Sequence, residues 1–262
     1  MKADHAISVT SRDNALLKRV RRLARDNTAY RSERQVWIEG DHLCGAAMER
    51  GVLPVVAVFS ETFWSQSSVK WSVDAIEKVV ICPDDLFAGL SSLESPAGCG
   101  LVLEVPMPDG PDPDGAAVVL DRLQDAGNVG SILRSAAAFG FRQVIAMKGT
   151  AALWSPKVLR AAMGAHFNLR LIEGVDPAYV DQLRVPLVQT SSHQGQFLHE
   201  QPPPFPCAWV LGHEGQGVGA ELARRAAYAA RIAQPGGEES LNVAAAAAIC
   251  LHASAVVAIA SR

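Results

Sequence analysis

Short apolar runs alternate along the chain with segments whose apolar residues fall at helical spacing. The spacing near 41–50 and 83–92 predicts helices in the N-terminal part. Between and around them, runs rich in β-branched residues are typical of strands. These runs are VWIEG (36–40), VVAVFS (55–60), KVVIC (78–82) and GLVLEV (100–105). The first hundred residues are therefore predicted to form a small α/β module.

The pattern stops at PMPDGPDPDG (106–115) and then begins again. A segment with this much proline, aspartate and glycine is typical of a linker, so we predict one domain at 1–105 and a second at 116–262. Strands and helices alternate in the second domain. The predicted strands are 116–120, 143–147, 167–172, 185–190, 207–211 and 230–233, and the predicted helices are 128–139, 155–164, 177–183, 219–228 and a last one from Ser240.

This alternation predicts an α/β fold with a mostly parallel sheet and helices on both faces. In such sheets ligands bind beyond the carboxyl ends of the strands. The loops that follow the strands are therefore the segments to search for chemistry.

Composition is that of a folded soluble chain, with 49% hydrophobic and 19% charged residues. The apolar stretch 241–260 carries Asn242, His252 and Ser254, which favours a buried helix over a membrane span. The N-terminus lacks a hydrophobic signal core, and the five cysteines are far apart without metal-type spacing. We therefore expect a cytoplasmic protein with no membrane segment and no metal.

The net charge of −3 conceals a basic N-terminal segment, because residues 1–36 hold nine Lys or Arg against four acidic residues. In NALLKRVRRLARDN (14–27) the leucines and Val20 fall at helical spacing and leave the basic residues on the remaining surface. This surface is either an ordinary solvated face or one that contacts nucleic-acid phosphates. In the second interpretation the candidate RNA-binding residues are Lys18, Arg19, Arg22 and Arg25.

The first loop of interest is DAGNVGSILRSAAAFGF (125–141), in which one arginine interrupts an alanine-rich helix. Asn128 is predicted as the N-cap and Gly140 as the C-terminal stop. Helical spacing surrounds Arg134 with glycine, serine and alanine. Arg134 is therefore either an exposed arginine in a good helix or a binding cation, and spacing alone does not separate the two.

The second loop, LGHEGQGVGAEL (211–222), suggests a competing function. Gly215, Gly217 and Ala220 match the dinucleotide pattern G-x-G-x-x-A, with Glu238 and Glu239 about 20 residues further on. A nicotinamide or flavin enzyme would fit this pattern. However, the pattern usually opens its domain, whereas only 42 residues follow it here.

Two further polar residues stand in these loops. Glu214 is either a structural hydrogen-bond acceptor or a ligand contact. In the third loop, IAQPGGEESLNVAAAAAI (232–249), Ser240 is predicted as the N-cap of the last helix. Asn242 then falls in the first turn of an otherwise apolar helix, where no structural role is evident.

Together the three loops resemble the signature motifs of the SpoU/TrmH-like branch of the SPOUT RNA methyltransferases. The matching segments follow the family's order and spacing over 116–260: NVGSILRSAAAFGF (128–141), VLGHEGQGV (210–218) and IAQPGGEESLNVAAAAAI (232–249). SPKVLRAAMGAHF (155–167) resembles an intermediate segment of the family. Residues 11–43 resemble, more loosely, an N-terminal substrate-binding domain similar to a ribosomal protein.

The resemblance implies a catalytic domain with a trefoil knot, S-adenosylmethionine (AdoMet) as cofactor, and a homodimer through the C-terminal domain. It implies methylation of a ribose 2′-hydroxyl in ribosomal or transfer RNA, and the basic N-terminal helix favours ribosomal RNA. The cofactor contacts carried over by position are Gly212, Ile232, Leu241 and Thr190. The residues nearest the chemistry are Arg134, Asn128, Glu214, Ser240 and Asn242.

Two points qualify this reading. His213 stands where the family usually has asparagine. A guanidinium is a poor base, so we expect Arg134 to hold the target ribose or phosphate and to stabilise the developing oxyanion.

A non-catalytic RNA-binding protein would be expected to lack Arg134, Asn128 or the SLN triplet at 240–242, and all are present.

Overall fold

The computed structural model describes residues 6–66, 71–237 and 241–260. Ser240, Glu238 and Glu239 lie outside the described residues. The chain divides into two compact units. The first comprises Met1–Pro106 and Trp154–Phe167, and the second comprises Met107–Leu153 and Asn168–Arg262.

The first unit contains a five-stranded mixed sheet in the order β1-β4-β3-β5-β2, in which β5 is antiparallel to both its neighbours. The strands are β1 (Ile7–Ser8), β2 (Gln35–Glu39), β3 (Val56–Ser60), β4 (Lys78–Cys82) and β5 (Cys99–Glu104). The helices are α1 (Ala15–Arg25), α2 (Ala29–Glu33), α3 (Asp41–Glu49), α4 (Glu61–Gln66) and α5 (Asp84–Leu90). The four predicted strands and two predicted helices are confirmed, and β1, α2 and α4 are additions.

Helix α1 has the predicted amphipathic character. Leu17, Val20 and Leu23 are buried in a core that includes Val58 and Phe87. Asn14 caps the helix, its side-chain oxygen accepting the Leu16 N–H at 2.9 Å. The basic residues consequently lie on the other sides of the helix.

The second unit contains a seven-stranded, fully parallel sheet in the order β10-β12-β9-β11-β6-β7-β8. Its strands are β6 (Ala117–Leu120), β7 (Gln143–Met147), β8 (Arg170–Val175), β9 (Leu187–Thr190), β10 (Gln196–Phe197), β11 (Ala208–Leu211) and β12 (Tyr228–Arg231). Its helices are α6 (Ala126–Ala138), α8 (Ala220–Arg225) and α9 (Val243–Ala260), while α7 (Pro156–Ala162) belongs to the first unit. The predicted α/β fold with a mostly parallel sheet is confirmed.

Two predicted helix starts are wrong. Helix α6 begins at Ala126, and its N-cap is Asp125, whose side chain accepts the Asn128 N–H at 2.8 Å. Asn128 therefore lies inside the first turn. Helix α9 begins at Val243, and the Asn242 side chain accepts the Ala244 N–H at 2.9 Å. The predicted helix at 177–183 is a 3₁₀ segment, Pro177–Gln182.

Helix α9 is apolar all around but buried on one side only, so the expectation of a buried helix holds in part. Its buried residues are Ala247, Cys250, Leu251 and Ser254. Ser254 accepts the indole N–H of the fully buried Trp209 at 2.9 Å, which fixes the helix on β11. By length and composition alone α9 would reach across a bilayer, a property that core helices of soluble proteins share.

Candidate active site

The sheet of the second unit brings four strand ends together. Strands β12, β9, β11 and β6 are consecutive neighbours, so the residues that follow them meet at one edge. Three of the predicted cofactor contacts lie there: Thr190 ends β9, Gly212 follows β11 and Ile232 follows β12. The Thr190 hydroxyl donates to the Val210 carbonyl of the neighbouring strand at 3.0 Å. Leu241, two residues before α9, is 40% exposed, and no described contact joins it to the other three.

The loop from 212 to 219, here called the glycine loop, closes tightly on itself. A Cβ atom on Gly212 would lie 2.1 Å from the carbonyl carbon of Gly217, so only glycine fits. Gly217 has a φ of +67° and donates to the His213 carbonyl at 2.8 Å. Of the residues that suggested a dinucleotide site, Gly217 is thus required by this turn, whereas a Cβ atom on Gly215 would meet its nearest neighbour only at 3.9 Å.

His213 has a structural role in the turn. Its Nδ1 accepts the Gly215 N–H at 3.0 Å. An asparagine side-chain oxygen accepts the N–H two residues on in the same way, in an Asx turn. His213 can therefore make the kind of hydrogen bond that an asparagine would make at this position.

A chain of side-chain hydrogen bonds joins the three loops. Asn242 Nδ2 donates to Asn128 Oδ1 at 3.0 Å, and Asn128 Nδ2 donates to Glu214 Oε1 at 3.3 Å. The amide orientations follow from the network, because a carboxylate only accepts and the Asn242 oxygen is already used by backbone N–H groups. Three of the predicted residues are thus brought into one network.

Glu214 also accepts hydrogen bonds from the backbone at the start of α6. Its carboxylate accepts the N–H groups of Gln124 at 3.3 Å and Asp125 at 3.2 Å. Partial burial by itself raises the pKa of Glu214, but these N–H groups, its own backbone N–H and the Asn128 amide outweigh it. The net pKa lies below the ordinary value of a glutamate, so Glu214 is an anion at neutral pH.

Arg134 lies on the exposed side of α6, opposite the buried Val129, Ile132 and Leu133. Among the residues that the structure describes, its guanidinium has no hydrogen bond or ion pair. It lies six positions after Asn128, which is about 9 Å along the helix axis. Arg134 is therefore a free cation whose five N–H donors are available to an anion.

Sequence reasoning missed a second polar group at the same edge. Asp121 follows β6 directly and is only 3% exposed. Its carboxylate accepts Arg122 Nε at 2.8 Å and the Gly219 N–H at 2.6 Å. The hydrogen bonds that Arg122 donates to this carboxylate raise the pKa of Arg122. A charged residue immediately after the apolar run AAVVL was the available signal.

The basic face of α1 is partly used within its own unit. Lys18 pairs with Asp13 at 2.8 Å, and Arg22 pairs with Glu33 at 3.0 Å. Arg25 donates to the carbonyl of Gly89 near the end of α5 at 3.1 Å. Arg19 is half-buried, with an Nε that finds no partner in the described part of the chain. Of the four predicted RNA-binding residues, three already have protein partners.

In residues 6–66, 71–237 and 241–260, no group of three or more His, Cys, Asp or Glu is placed to hold a metal ion.

A parallel α/β sheet with glycine-bearing loops at its carboxyl edge is typical of proteins that bind a ligand largely through backbone groups. The model of the SpoU rRNA Methylase family matches residues 115–252. The chain belongs to this family, which confirms the resemblance of its three motifs to those of the SpoU/TrmH-like branch. Membership of this family also argues against a nicotinamide enzyme.

Relatives extend the similarity over most of the chain. RlmP of Bacillus subtilis, a 23S rRNA (guanosine(2553)-2′-O)-methyltransferase, is 31% identical over 220 residues, which cover 82% of this chain and 86% of that protein. A putative RNA methyltransferase of the TrmH family from Porphyromonas gingivalis aligns with a TM-score of 0.80 at 30% identity, covering 92% of this chain and 97% of that one. The AdoMet-bound rRNA methyltransferase of Sinorhizobium meliloti aligns with a TM-score of 0.81 at 26% identity, covering 95% and 97%.

Proposed function

We propose that this protein transfers the methyl group of AdoMet to a ribose 2′-hydroxyl of ribosomal RNA. The observation that carries the proposal is the hydrogen-bond chain Asn242–Asn128–Glu214, which joins the three motif loops at the carboxyl edge of the sheet, where the glycine loop lies. Family membership and the relatives that act on rRNA support it.

The residues at the sheet edge suit AdoMet. A Cβ atom on Gly217 would meet nothing within 4 Å, so the absence of a side chain there lets an adenosine approach the backbone closely. We assign cofactor binding to Gly212, Thr190, Ile232 and Leu241. When bound, AdoMet supplies an electron-poor methyl carbon.

Arg134 is proposed as the residue that acts on the RNA. A guanidinium stays protonated at ordinary pH, so it suits a phosphate or a developing 2′-alkoxide better than it suits proton removal. In the part of the chain that the structure describes its guanidinium has no protein partner, which supports this role. Asn128, Glu214 and Asn242 are positioning residues, because their polar atoms are engaged with one another and with backbone N–H groups. Ser240, beside Asn242 in the sequence, is retained as a candidate for the same site.

The N-terminal part, residues 1–105, is proposed as a substrate-binding domain, joined through the linker 106–115 to the methyltransferase domain 116–262. Exposed basic residues on α1 support RNA contact, with Lys18, Arg19, Arg22 and Arg25 as the proposed set. Their ion pairs within the unit are solvent-exposed and contribute little to stability, so a phosphate exchanges readily for Asp13 or Glu33. Cytoplasmic location is proposed as well, since all five cysteines are buried and unpaired.

A homodimer through the second unit is proposed from α9. Ile249, Val256 and Ile259 on this helix are 42%, 49% and 72% exposed. Beside them an apolar pocket of about 660 Å³ lies between α9 and the segments that follow β10 and β12. A soluble chain gains by covering such a face, and a second copy offers the same apolar surface.

The trefoil knot is also proposed. Strand β12 lies between β9 and β10, and β11 lies between β9 and β6, so the chain returns repeatedly to the interior of the sheet. This non-sequential strand order supports a threaded C-terminal segment.

Calorimetric titration and methyl transfer test the proposed function together. We expect the purified protein to bind AdoMet and not NADPH, and to transfer labelled methyl from AdoMet to the ribose of ribosomal RNA. Label in transfer RNA alone would favour the tRNA alternative. Binding of AdoMet or RNA without transfer would favour a non-catalytic RNA-binding protein, and binding of NADPH alone would refute the proposal.

A further inference from the structure

The buried carboxylate of Asp121 links β6 to the far end of the glycine loop. Its Oδ2 accepts the Gly219 N–H at 2.6 Å and Arg122 Nη2 at 3.1 Å, while Oδ1 accepts Arg122 Nε at 2.8 Å. Only 3% of the residue is exposed, so the charge is compensated by these donors rather than by water. The Asp121 carboxylate therefore holds both the Arg122 guanidinium and the end of the glycine loop.

Arg122 reaches across to the middle of the same loop. Its Nη1 donates to Gln216 Oε1 at 3.0 Å. The guanidinium thus bonds to Asp121 on one side and to the loop on the other. A Cβ atom on Gly219 would lie 3.0 Å from Arg122 Nη2, which shows how closely the guanidinium covers the loop's end.

The backbone of Arg122 is held in a left-handed conformation, with a φ of 61°. Only glycine adopts this region freely, and a strained residue persists where its surroundings fix it. Here Thr150 fixes it. The Thr150 Oγ1 accepts the Arg122 N–H at 3.0 Å and donates to the Leu120 carbonyl at 3.0 Å. The strained geometry directs the guanidinium toward Gln216.

The glycine loop is therefore held at two places. Glu214 ties its first half to the start of α6, and the contacts of Gln216 and Gly219 tie its second half to Asp121 and Arg122. Between these two places lies the turn in which Gly217, with a φ of +67°, donates to the His213 carbonyl.

We propose that Asp121 and Arg122 are positioning residues that set the conformation of the glycine loop and thereby the affinity for AdoMet. The inference rests on the proposed function, since it assumes that this loop binds AdoMet. Both residues bond to the glycine loop, so we expect their loss to act on cofactor binding and to leave the rate at saturating AdoMet unchanged.

Arg122→Gly tests the guanidinium apart from the strained backbone. Glycine relieves the left-handed conformation, but the buried Asp121 then keeps only the Gly219 N–H among its described donors, so the melting temperature is expected to fall. AdoMet should bind about tenfold more weakly, as for one lost hydrogen bond to a charged group. A purely structural residue would lower the melting temperature and leave the affinity for AdoMet unchanged.

Arg184 provides a matched control. It also pairs with an aspartate through Nε and Nη2, bonding to Asp114 with the Nε contact at 2.7 Å, and the pair is solvent-exposed. Neither residue bonds to the glycine loop. Arg122→Lys and Arg184→Lys therefore remove the same bidentate geometry while keeping the positive charge.

The experiment measures the AdoMet dissociation constant by calorimetry, the melting temperature, and kcat and KM for AdoMet in methyl transfer. We expect Arg122→Lys and Arg122→Gly to raise the dissociation constant and KM about tenfold with kcat unchanged, and Arg184→Lys to leave all three unchanged. Wild-type affinity in both Arg122 variants would overturn the inference alone. Absence of AdoMet binding by the wild-type protein would instead overturn the proposed function.

Discussion

The hydrogen-bond chain between the three motifs predicts a measurable coupling between Asn128 and Asn242. Asn128→Ala removes two bonds, one of 3.0 Å to Asn242 and one of 3.3 Å to Glu214. At about 1 kcal/mol each, the loss is about 2 kcal/mol. Asn242→Ala removes the shared bond and the cap on α9, which also costs about 2 kcal/mol.

Because the two residues share one bond, the double variant should lose about 3 kcal/mol rather than the sum of about 4. The free energy of unfolding of the second unit is measured by urea titration of fluorotryptophan-labelled protein. The NMR signal of Trp209, which is fully buried in that unit, follows its unfolding and is assigned with Trp209→Phe.

Ser131→Ala is the matched control, because Ser131 lies on the exposed side of α6 and makes no bond within the described network. It should change the free energy by less than about 0.5 kcal/mol. Additive losses for Asn128→Ala and Asn242→Ala, with no coupling beyond about 0.3 kcal/mol, would refute a direct bond between the two loops.

Three further predictions follow from single contacts. His213→Asn should keep the affinity for AdoMet, because the amide oxygen accepts the Gly215 N–H. His213→Leu has no acceptor there and should bind AdoMet more weakly. Equal affinities of the two variants in calorimetry would contradict the role assigned to His213 in the turn. The pKa of Glu214 is lower in the folded protein, so its ionised carboxylate stabilises the fold fully above the ordinary glutamate pKa, and this stabilisation is lost as the pH falls through the lower folded pKa. Glu214→Gln should therefore make the free energy of unfolding less dependent on pH at acid pH. An unchanged dependence would argue against this contribution of Glu214. Ser254→Ala leaves the buried Trp209 N–H without an acceptor and should cost about 1–3 kcal/mol in urea titration, so a neutral effect would mean that α9 is held by packing alone.

Much of the second unit could be predicted from the sequence because its parallel strands are buried on both faces. Runs such as AAVVL and QVIAM are then continuously apolar and stand out. The two-residue strands β1 and β10 carry no such pattern, since their pairing is decided by neighbouring strands rather than by their own residues.

The helix starts were harder to predict for a physical reason. Both Asp125 and Asn128 are good caps, and local sequence does not rank them. Tertiary contacts decide, because Glu214 and Asn242 engage the Asn128 side chain and leave Asp125 to cap α6. The pair Asp121–Arg122 escaped notice for the same reason, since its partners on the glycine loop are more than ninety residues away in the chain.

The most direct test of the central claim maps ribose methylation in ribosomal RNA. Ribosomal RNA is taken from cells that lack the gene and from cells that regain it as wild type or as Arg134→Lys, and 2′-O-methyl nucleotides are located by mass spectrometry. We predict one methylated ribose that disappears with the gene, returns with the wild-type protein and returns poorly with Arg134→Lys, although that variant still binds AdoMet. An identical methylation map in all three samples would contradict the account.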